Sequence, residues 1–496
     1  MEFNFTEEQN LLINTTKAFV KAELLQHEEL LEKTNNLPKE LYDEIKKKSI
    51  EAGLYACNMP VEHGGGGLNA FDLTLVEKHL GFASLALAEI AWRPQNILMA
   101  CEGELIDEYL KPAITGERKD CIAMTEPEAG SDLRGMKTNA KKDGDDWVIN
   151  GTKHFISNAH ISDFVVLFAS TGTDEQGRNL LSCFLVDLHQ KGVEVAKGYD
   201  CVSHRGYVNN VINFNDCRIP GKNILGEKDK GFELMNVWLE ATRLTVAATS
   251  VSRAERAFNI ALDWSANRKQ FGKVIGKFQG VSFKLADMAT NIKAANLMLL
   301  ESAWKIDQKT LSSQDAAMTK LFCTEMLGKV SDEAIQICGG MGLMADIPLE
   351  RIWRDARIER IWEGTTPEKR DIYTRRTSLL RRRLRFRLHN WRRLLLSVRR
   401  GARTRTGAEG LCERAAAALH RCVAGKARGA LDRPRAPLAN IRPQVELALA
   451  SGVVHEADLA KDGALRPAHV VRAHDGPRAA DVPVRVAPVE AVLVVE

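Results

Sequence analysis

One acidic residue of this chain lies in a setting suited to proton transfer. Glu363 belongs to the segment Ile361-Trp-Glu-Gly-Thr365, where two apolar residues precede it and a glycine and a threonine follow. Apolar surroundings raise the pKa of a carboxyl group towards neutral pH, so that the group can take a proton from a weak carbon acid. Most isolated glutamates are solvated surface residues, so the other motifs of the chain must decide whether Glu363 is functional.

Three further motifs precede this segment. They are Met124-Thr-Glu-Pro-Glu-Ala-Gly-Ser-Asp132, Arg268-Lys-Gln-Phe-Gly272 and Gln336-Ile-Cys-Gly-Gly-Met-Gly342. Together with the Glu363 segment, their order and spacing resemble those of the acyl-CoA dehydrogenases, FAD enzymes in which a glutamate removes an α-proton from an acyl-CoA thioester. The resemblance covers about residues 1–375.

The resemblance implies a role for each of these segments. Glu363 is expected to be the catalytic base, and Arg243, Ser131 and Gly364 are expected to bind the acyl-CoA substrate beside it. Removal of a β-hydrogen as hydride requires a cofactor, because no protein side chain accepts hydride. The resemblance identifies that cofactor as FAD. The residues expected to contact FAD are Met124, Thr125, Gly130, Ser131, Phe155, Ile156, Ser157, Arg268, Phe271, Gln279, Gln336, Gly339, Gly340 and Thr365.

The resemblance divides these FAD residues into two groups. Those before residue 160 are expected beside the flavin ring, whereas Arg268 and the glycine turn at 339–340 are expected to reach the FAD of a neighbouring subunit. Gly340-Met-Gly-Leu-Met-Ala345 also fits the G-x-G-x-x-A pattern of nicotinamide-binding proteins. It follows a helical stretch and not a strand, which argues against nicotinamide binding. Taken singly, each position is better explained as a turn, core or surface residue, and only their joint order supports the assignment.

The spacing of apolar residues changes twice along the chain. Helical spacing from Thr6 to about Lys111 gives way near Asp120 to strand patterns, and helical spacing returns after Gly231. Within the strand region, the Asn150-Gly151 dipeptide lies between two apolar runs and predicts a β-hairpin turn.

We therefore predict an α+β fold of the acyl-CoA dehydrogenase type. It comprises an N-terminal helical domain over residues 1–118, a middle β domain over 119–228 and a C-terminal helical bundle over 229–376. The resemblance further implies assembly as a homotetramer or homodimer.

Composition restricts the class of protein. The 496 residues are 45% hydrophobic and 27% charged, with a net charge of +4, which is typical of a soluble globular protein. The ten cysteines include no C-x-x-C pair, so we expect reduced thiols and neither a disulfide framework nor a zinc site. An acidic N-terminus and the absence of a long apolar run predict a cytoplasmic location, with no membrane segment and no bound metal.

The composition shifts abruptly around Arg375. Arg, Ala, Val and Pro replace Lys, Ile and Asn, and residues 377–496 are predicted to be a disordered extension or an artefact of fusion or read-through. The sequence Thr366-Pro-Glu-Lys-Arg370 also departs from the family pattern, which puts FAD binding and assembly at this point in question.

Three functional hypotheses follow. The first is α,β-dehydrogenation of an acyl-CoA to a trans-2-enoyl-CoA, with an electron-transfer flavoprotein as acceptor, although an acyl-CoA oxidase would share the same motifs. The second is a DNA-associated alkylation-response flavoprotein of the same fold, which would use the Arg-rich extension; an accidental basic tail is the simpler explanation, so we do not expect nucleic-acid binding. The third is an inactive relative retained for assembly. The acyl chain that the protein accepts cannot be derived from the sequence.

Overall fold

The computed structural model describes residues 4–92 and 94–366. In these residues a helical layer, a β-sheet domain and a helical bundle follow one another, which confirms the predicted α+β order. The predicted character of residues 377–496, the DNA-binding hypothesis that depends on them, and residues 367–370 of the departing segment lie outside the described residues.

Six α-helices form the N-terminal layer. They are α1 (Glu7–Phe19), α2 (Glu28–Thr34), α3 (Lys39–Glu51), α4 (Ala70–Leu80), α5 (Leu85–Ala91) and α6 (Lys111–Thr115). The first helix begins at a capping box in which Thr6 and Gln9 each accept a hydrogen bond from the other's backbone N–H, at 3.1 Å. Leu24, Leu31, Ile45 and Leu80 are among the buried residues of this layer.

Eight strands form the sheet of the middle domain. They are β1 (Asp120–Ala123), β2 (Asn139–Asp143), β3 (Asp146–Ser157), β4 (Phe164–Thr173), β5 (Asn179–Asp187), β6 (Val193–Lys197), β7 (Asn209–Ile219) and β8 (Ile224–Leu225). Their spatial order is β6, β7, β3, β2, β4, β5 and β8, with β1 parallel to β4. Phe164 and Phe168 of β4 face one apolar core and Val165 and Leu167 face another, so the strand is buried on both sides.

The predicted hairpin turn at Asn150-Gly151 is wrong. Both residues lie inside the single strand β3, where pairing with β7 shifts register between Ile149 and Gly151. Gly151 has a φ of 147°, and a Cβ there would lie 2.4 Å from Oγ1 of Thr138. The dipeptide therefore marks a β-bulge with close packing, and the turn of the β2–β3 hairpin lies at Gly144 and Asp145.

The C-terminal bundle consists of four α-helices and a small two-stranded ribbon. The helices are α7 (Gly231–Asn267), α8 (Gln279–Asp307), α9 (Ser313–Cys338) and α10 (Leu349–Glu359), and the ribbon strands are β9 (Lys269–Gln270) and β10 (Lys273–Val274). Ala247, Ala254 and Ala261 of α7 are fully buried in the core of the bundle, where small side chains permit close helix packing.

A buried acid joins the first layer to this bundle. Glu28 of α2 is 2% exposed and binds Arg256 of α7 through both carboxylate oxygens at 2.8 Å, and Arg351 of α10 at 2.7 Å. The bidentate geometry fixes the orientation of α2 on the two helices. None of the helices in the described residues has both the length and the apolarity needed to cross a bilayer.

Candidate active site

Glu363 lies in a strained turn directly after α10. The helix ends at Glu359, and the N–H of Ile361 donates to the carbonyl of Ile358 at 2.7 Å. Glu363 has a φ of 54°, and Gly364 after it has a φ of 97°. A left-handed conformation costs a non-glycine residue about 1–3 kcal/mol, so the surrounding contacts must impose it.

Two buried cations hold the backbone of this turn. Nε of Arg243 on α7 donates to the carbonyl of Glu363 at 3.2 Å. Nζ of Lys320 on α9 donates to the carbonyls of Trp362, at 2.8 Å, and Gly364, at 3.0 Å. Three successive carbonyls are therefore fixed by side chains of two helices, and the direction of the Glu363 side chain follows from this.

Sequence reasoning missed Lys320, although a signal for it exists. Its side chain is fully buried, and it shares the face of α9 with the buried residues Ala316, Ala317 and Cys323. A lysine on the apolar face of a helix needs a partner that compensates for lost hydration. That pattern could have pointed to a functional contact.

Glu363 faces a cavity to which all three domains contribute. Trp362 and Glu363 come from the C-terminal bundle, and Ile122 and Ser157 come from the sheet domain. Tyr207 comes from the loop between β6 and β7. Further wall residues come from the N-terminal layer and α7; they include Leu73, Thr74, Glu77, Glu89, Trp92, Gln95, Trp238 and Thr245. The wall combines apolar, aromatic and carboxylate groups beside the candidate base.

A buried ion pair holds the Met124–Asp132 loop against β3. Nζ of Lys153, which is fully buried, donates to Oε1 of Glu126 at 2.8 Å and to the carbonyl of Met124 at 2.9 Å. Burial lowers the pKa of Lys153 to about 8 despite the neighbouring carboxylate. Burial alone would raise the pKa of Glu126, but Lys153 and nearby backbone N–H groups lower it. The pair brings residues 124–126 next to residues 153–157.

This pair brings most of the first predicted FAD group together. The backbone N–H of His154 donates to the carbonyl of Thr125 at 2.8 Å, so Met124 and Thr125 lie beside Phe155, Ile156 and Ser157. Ile156 is buried, Phe155 is 56% exposed, and Gly130 and Ser131 are exposed further along the loop.

The chemistry of these residues fits a flavin. The hydroxyl groups of Thr125 and Ser157 have no hydrogen-bond partner within residues 4–92 and 94–366, and Ser157 faces the cavity of Glu363. A flavin ring offers carbonyl and ring-nitrogen acceptors to such hydroxyls and apolar surface to Phe155. Thr365, also assigned to FAD, is half-buried in the turn after Glu363.

The second predicted FAD group lies elsewhere. Its members are exposed at the C-terminal end of α7, the following ribbon, the N-terminal end of α8 and the C-terminal end of α9: Arg268, Phe271, Gln279, Gln336, Gly339 and Gly340. Arg268 follows Arg243 by 25 residues along α7, which corresponds to about 37 Å at the rise of an α-helix. The structure therefore does not bring this group to the cavity of Glu363 in the same chain.

Comparison with known proteins agrees with this architecture. Three sequence profiles match in order: acyl-CoA dehydrogenase N-terminal domain over residues 6–117, middle domain over 121–217 and C-terminal domain over 229–378. The chain is similar to the probable acyl-CoA dehydrogenase YngJ of Bacillus subtilis, with 35% identity over 380 residues that cover 76% of this chain and 99% of the relative.

Two further relatives add detail. The CarC subunit of the caffeyl-CoA reductase-Etf complex of Acetobacterium woodii is 34% identical over 372 residues, 73% of this chain and 96% of CarC. The structure of butyryl-CoA dehydrogenase from Megasphaera elsdenii aligns with a TM-score of 0.71 and 29% identity, covering 77% of this chain and all of that one.

The fold and site thus define a flavin-dependent oxidoreductase. The chain belongs to the acyl-CoA dehydrogenases, and its cofactor is FAD. The domain bounds proposed from the sequence and the roles of the individual site residues stay predictions.

Proposed function

We propose that the protein converts an acyl-CoA thioester into its trans-2-enoyl-CoA, with Glu363 as the base. The observation that carries this proposal is the carboxylate on a fixed turn at a cavity that Ser157 and Ile122 also line. The α C–H bond breaks and its proton passes to the carboxylate of Glu363, while the C=C double bond forms. FAD, when bound, supplies the acceptor for the β-hydrogen and its electron pair.

The chain's own residues orient the reacting atoms. Arg243 and Lys320 hold the carbonyls around Glu363, which leaves the backbone N–H of Glu363 on the opposite side of its peptide, where we place the thioester carbonyl. A donor at that position stabilises the negative charge that develops as the α-proton leaves. Ser131 and Gly364 complete the proposed substrate contacts.

We also propose that each FAD is completed by a second subunit. Ser157 of the first group lines the cavity of Glu363, whose carbonyl Arg243 binds, and Arg268 of the second group lies about 37 Å from Arg243 along α7. The second group is exposed to solvent in the single chain. A homodimer, alone or as half of a homotetramer, would bring the second group of one subunit to the first group of another.

The proposed electron acceptor is an electron-transfer flavoprotein. The similarity to CarC, a subunit of a reductase-Etf complex, supports this choice. An acyl-CoA oxidase would instead reduce oxygen, which oxygen consumption during turnover would reveal.

The cavity favours an acyl group that is short or that ends in a polar or aromatic group. Glu77 and Gln95 interrupt the apolar wall, and Trp92 and Trp238 supply aromatic surface. A long alkyl chain would leave the buried carboxyl group of Glu77 with the hydroxyl of Thr245 as its hydrogen-bond partner and no polar group on its cavity side, which is costly.

The test is an anaerobic titration of the FAD-loaded protein with butyryl-CoA, 3-phenylpropanoyl-CoA and decanoyl-CoA, followed by visible absorbance. We expect the first or second thioester to bleach the flavin band and decanoyl-CoA to do so least. Glu363→Gln should bind FAD and remain oxidised with each thioester, because an amide cannot accept the α-proton. Glu301→Gln, an exposed acid of α8 paired with Lys305, should behave like the wild type.

Two results would contradict the proposal. Near-normal reduction in Glu363→Gln would remove Glu363 from the role of base. A wild-type flavin that stayed oxidised with all three thioesters would favour the inactive or DNA-associated hypotheses.

A further inference from the structure

A buried ionic cluster lies beside the residue that precedes Glu363. We call it the His204 cluster: His204 from the loop between β6 and β7, Arg253 from α7, and Asp355 and Glu359 from α10. None of the four is more than 6% exposed. The dehydrogenation proposed above uses none of these groups directly.

The cluster contains two cations and two anions when His204 is protonated. Nε2 of His204 lies 3.1 Å from Oε1 of Glu359, and its Nδ1 lies 3.4 Å from Oδ2 of Asp355. The backbone N–H of His204 donates to Oδ1 of Asp355 at 2.6 Å, and Arg253 also donates to Oε1 of Glu359.

These contacts keep His204 charged. Burial alone would favour the neutral ring, but Asp355 and Glu359 raise the pKa of His204 to about 9. Burial would likewise raise the pKa of each carboxyl group, yet His204 and Arg253 lower both. His204 is therefore an imidazolium at neutral pH.

The side chain of Trp362 rests on this cluster. Its indole stacks on the His204 ring with centroids 5.2 Å apart and planes 11° apart, and its Nε1 donates to Oε2 of Glu359 at 2.8 Å. Tyr207 packs edge-on against the same indole, with centroids 6.3 Å apart. A cation stacked on an indole is attracted by the π face, so the protonated state of His204 strengthens the contact.

Trp362 transmits this restraint to the candidate base. It is the neighbour of Glu363, it lines the same cavity, and its carbonyl is one of those held by Lys320. Arg243 and Lys320 fix the backbone of the strained turn from one side, and the His204 cluster fixes the adjoining indole. His204 itself has a φ of 49°, so its own backbone is also held in a strained conformation.

We propose that His204 is a positioning residue for α-proton removal: its imidazolium holds the indole of Trp362, and through it the direction of Glu363 towards the substrate. This inference rests on the proposed function. The simpler alternative is an ion cluster that only joins the sheet domain to α7 and α10, and the two make different predictions.

The experiment compares His204→Gln, Trp362→Phe and the double variant, each loaded with FAD. Two rates are measured: flavin reduction by the thioester that the wild type oxidises, and exchange of the α-hydrogen with D2O by mass spectrometry. Since displacing a reacting group by about 1 Å can cost up to 10²-fold, we expect each single variant to lose on the order of tenfold in both rates. The double variant should lose little more, because both changes remove one contact.

Control variants separate positioning from folding. His204→Gln leaves the cluster with excess negative charge, whereas the double variant His204→Gln/Asp355→Asn keeps the charges of the cluster balanced. This double variant should restore the melting temperature, while its exchange of the α-hydrogen should remain slow. His160→Gln changes an exposed histidine of the same domain that contacts Asn210 and not the cluster, and both rates should remain those of the wild type. The exchange rate of the wild type is also measured as a function of pH. In that protein Arg253, Asp355, Glu359 and Tyr207, the charged and titratable groups that face His204, are intact. Above pH 9 the wild-type exchange rate should fall towards that of His204→Gln.

Three outcomes would overturn the proposal. A lower melting temperature with unchanged exchange in His204→Gln would leave a purely structural cluster. Multiplying losses in the double variant would show that His204 does not act through Trp362. A wild type with neither exchange nor flavin reduction would overturn the proposed function as well, which distinguishes it from the first two outcomes.

Discussion

Glu77 shows how a single side chain on the cavity wall responds to burial. It lies on α4, is 9% exposed, and accepts a hydrogen bond from the hydroxyl of Thr245 at 2.9 Å. Burial raises its pKa from 4.5 to about 8. At neutral pH the group is therefore mostly protonated and can donate a hydrogen bond to a polar acyl group in the cavity.

This pKa has a consequence for stability. Between about pH 4.5 and 8 the folded state binds a proton at Glu77 that the unfolded state releases, so the free energy of unfolding falls as pH rises through this range. Glu77→Gln removes the titration and keeps an acceptor for Thr245. We expect the variant to come close to the wild type at pH 4.5 and to exceed it by roughly 4 kcal/mol at pH 8.5, allowing 1.36 kcal/mol per pKa unit.

Urea unfolding at fixed protein and FAD concentrations measures this difference. Glu62→Gln, at an exposed position of the same domain, is the control and should keep the wild-type pH dependence. Parallel stability curves for Glu77→Gln and the wild type would show that Glu77 is ionised in the folded protein.

At the scale of the elements, the Glu126–Lys153 pair joins a loop to a strand. Glu126 also accepts from the backbone N–H of Thr138 at 3.0 Å, and its own N–H pairs with the carbonyl of Ala129 at 2.9 Å. The pair thus fixes the Met124–Asp132 loop to β3 at the position assigned to the flavin. Without this ion pair, a loop of this length would be free to move away from the cofactor.

Lys153→Met should leave the carboxylate of Glu126 buried without its cation. The cost of such a change is about 3–5 kcal/mol, and we expect the FAD content of the purified protein to fall with it. Replacing both partners, Glu126→Gln with Lys153→Met, should recover part of the stability. Chemical unfolding and the flavin-to-protein absorbance ratio measure the two effects.

The exposed Lys141 of β2 supplies the control for this prediction. Lys141→Met should change neither stability nor FAD content appreciably. If Lys153→Met behaved in the same way, the buried pair would have no part in shaping the loop.

At the scale of the whole molecule, the residues proposed to bind FAD lie in two separate places. Ser157 of the first predicted FAD group lines the cavity of Glu363, whose carbonyl Arg243 binds, whereas Arg268 and the second predicted group are exposed at the far end of α7 and beyond it. A cofactor that needs both groups requires two copies of the chain, related so that each completes the site of the other.

Hybrid oligomers test this arrangement. Glu363→Gln subunits should bind FAD without turnover, and Arg268→Glu subunits should lose FAD. If the site is shared, a hybrid of the two contains one complete site, with Glu363 from one subunit and Arg268 from the other. We expect roughly half the wild-type turnover per dimer, measured on hybrids purified through two different tags.

The matched control places both substitutions in one subunit and pairs it with the wild type. A shared site predicts no activity for this hybrid, because each of its sites then lacks one of the two residues. Sites contained within single chains predict the reverse pattern, with the control active and the first hybrid inactive.

The sequence determined the class of fold and the candidate base. The change from helical to strand spacing and back reflects which faces of each element are buried, and local composition records this directly. Glu363, Arg243 and the Met124–Asp132 loop were found because their motifs are continuous in sequence. The Asn150-Gly151 hairpin prediction failed because a bulge and a turn both favour glycine, and strand pairing with β7 chose between them.

Only the tertiary structure determined how the candidate base is held. Lys320, His204 and Arg253 come from three separate segments, and nothing near them in the sequence shows that they meet at the turn of Glu363. The cost of burying each charge is offset by a partner distant along the chain, and that pairing exists only once the domains pack together. The resemblance predicted two groups of FAD residues, but only the structure shows how far apart Arg243 and Arg268 lie along α7.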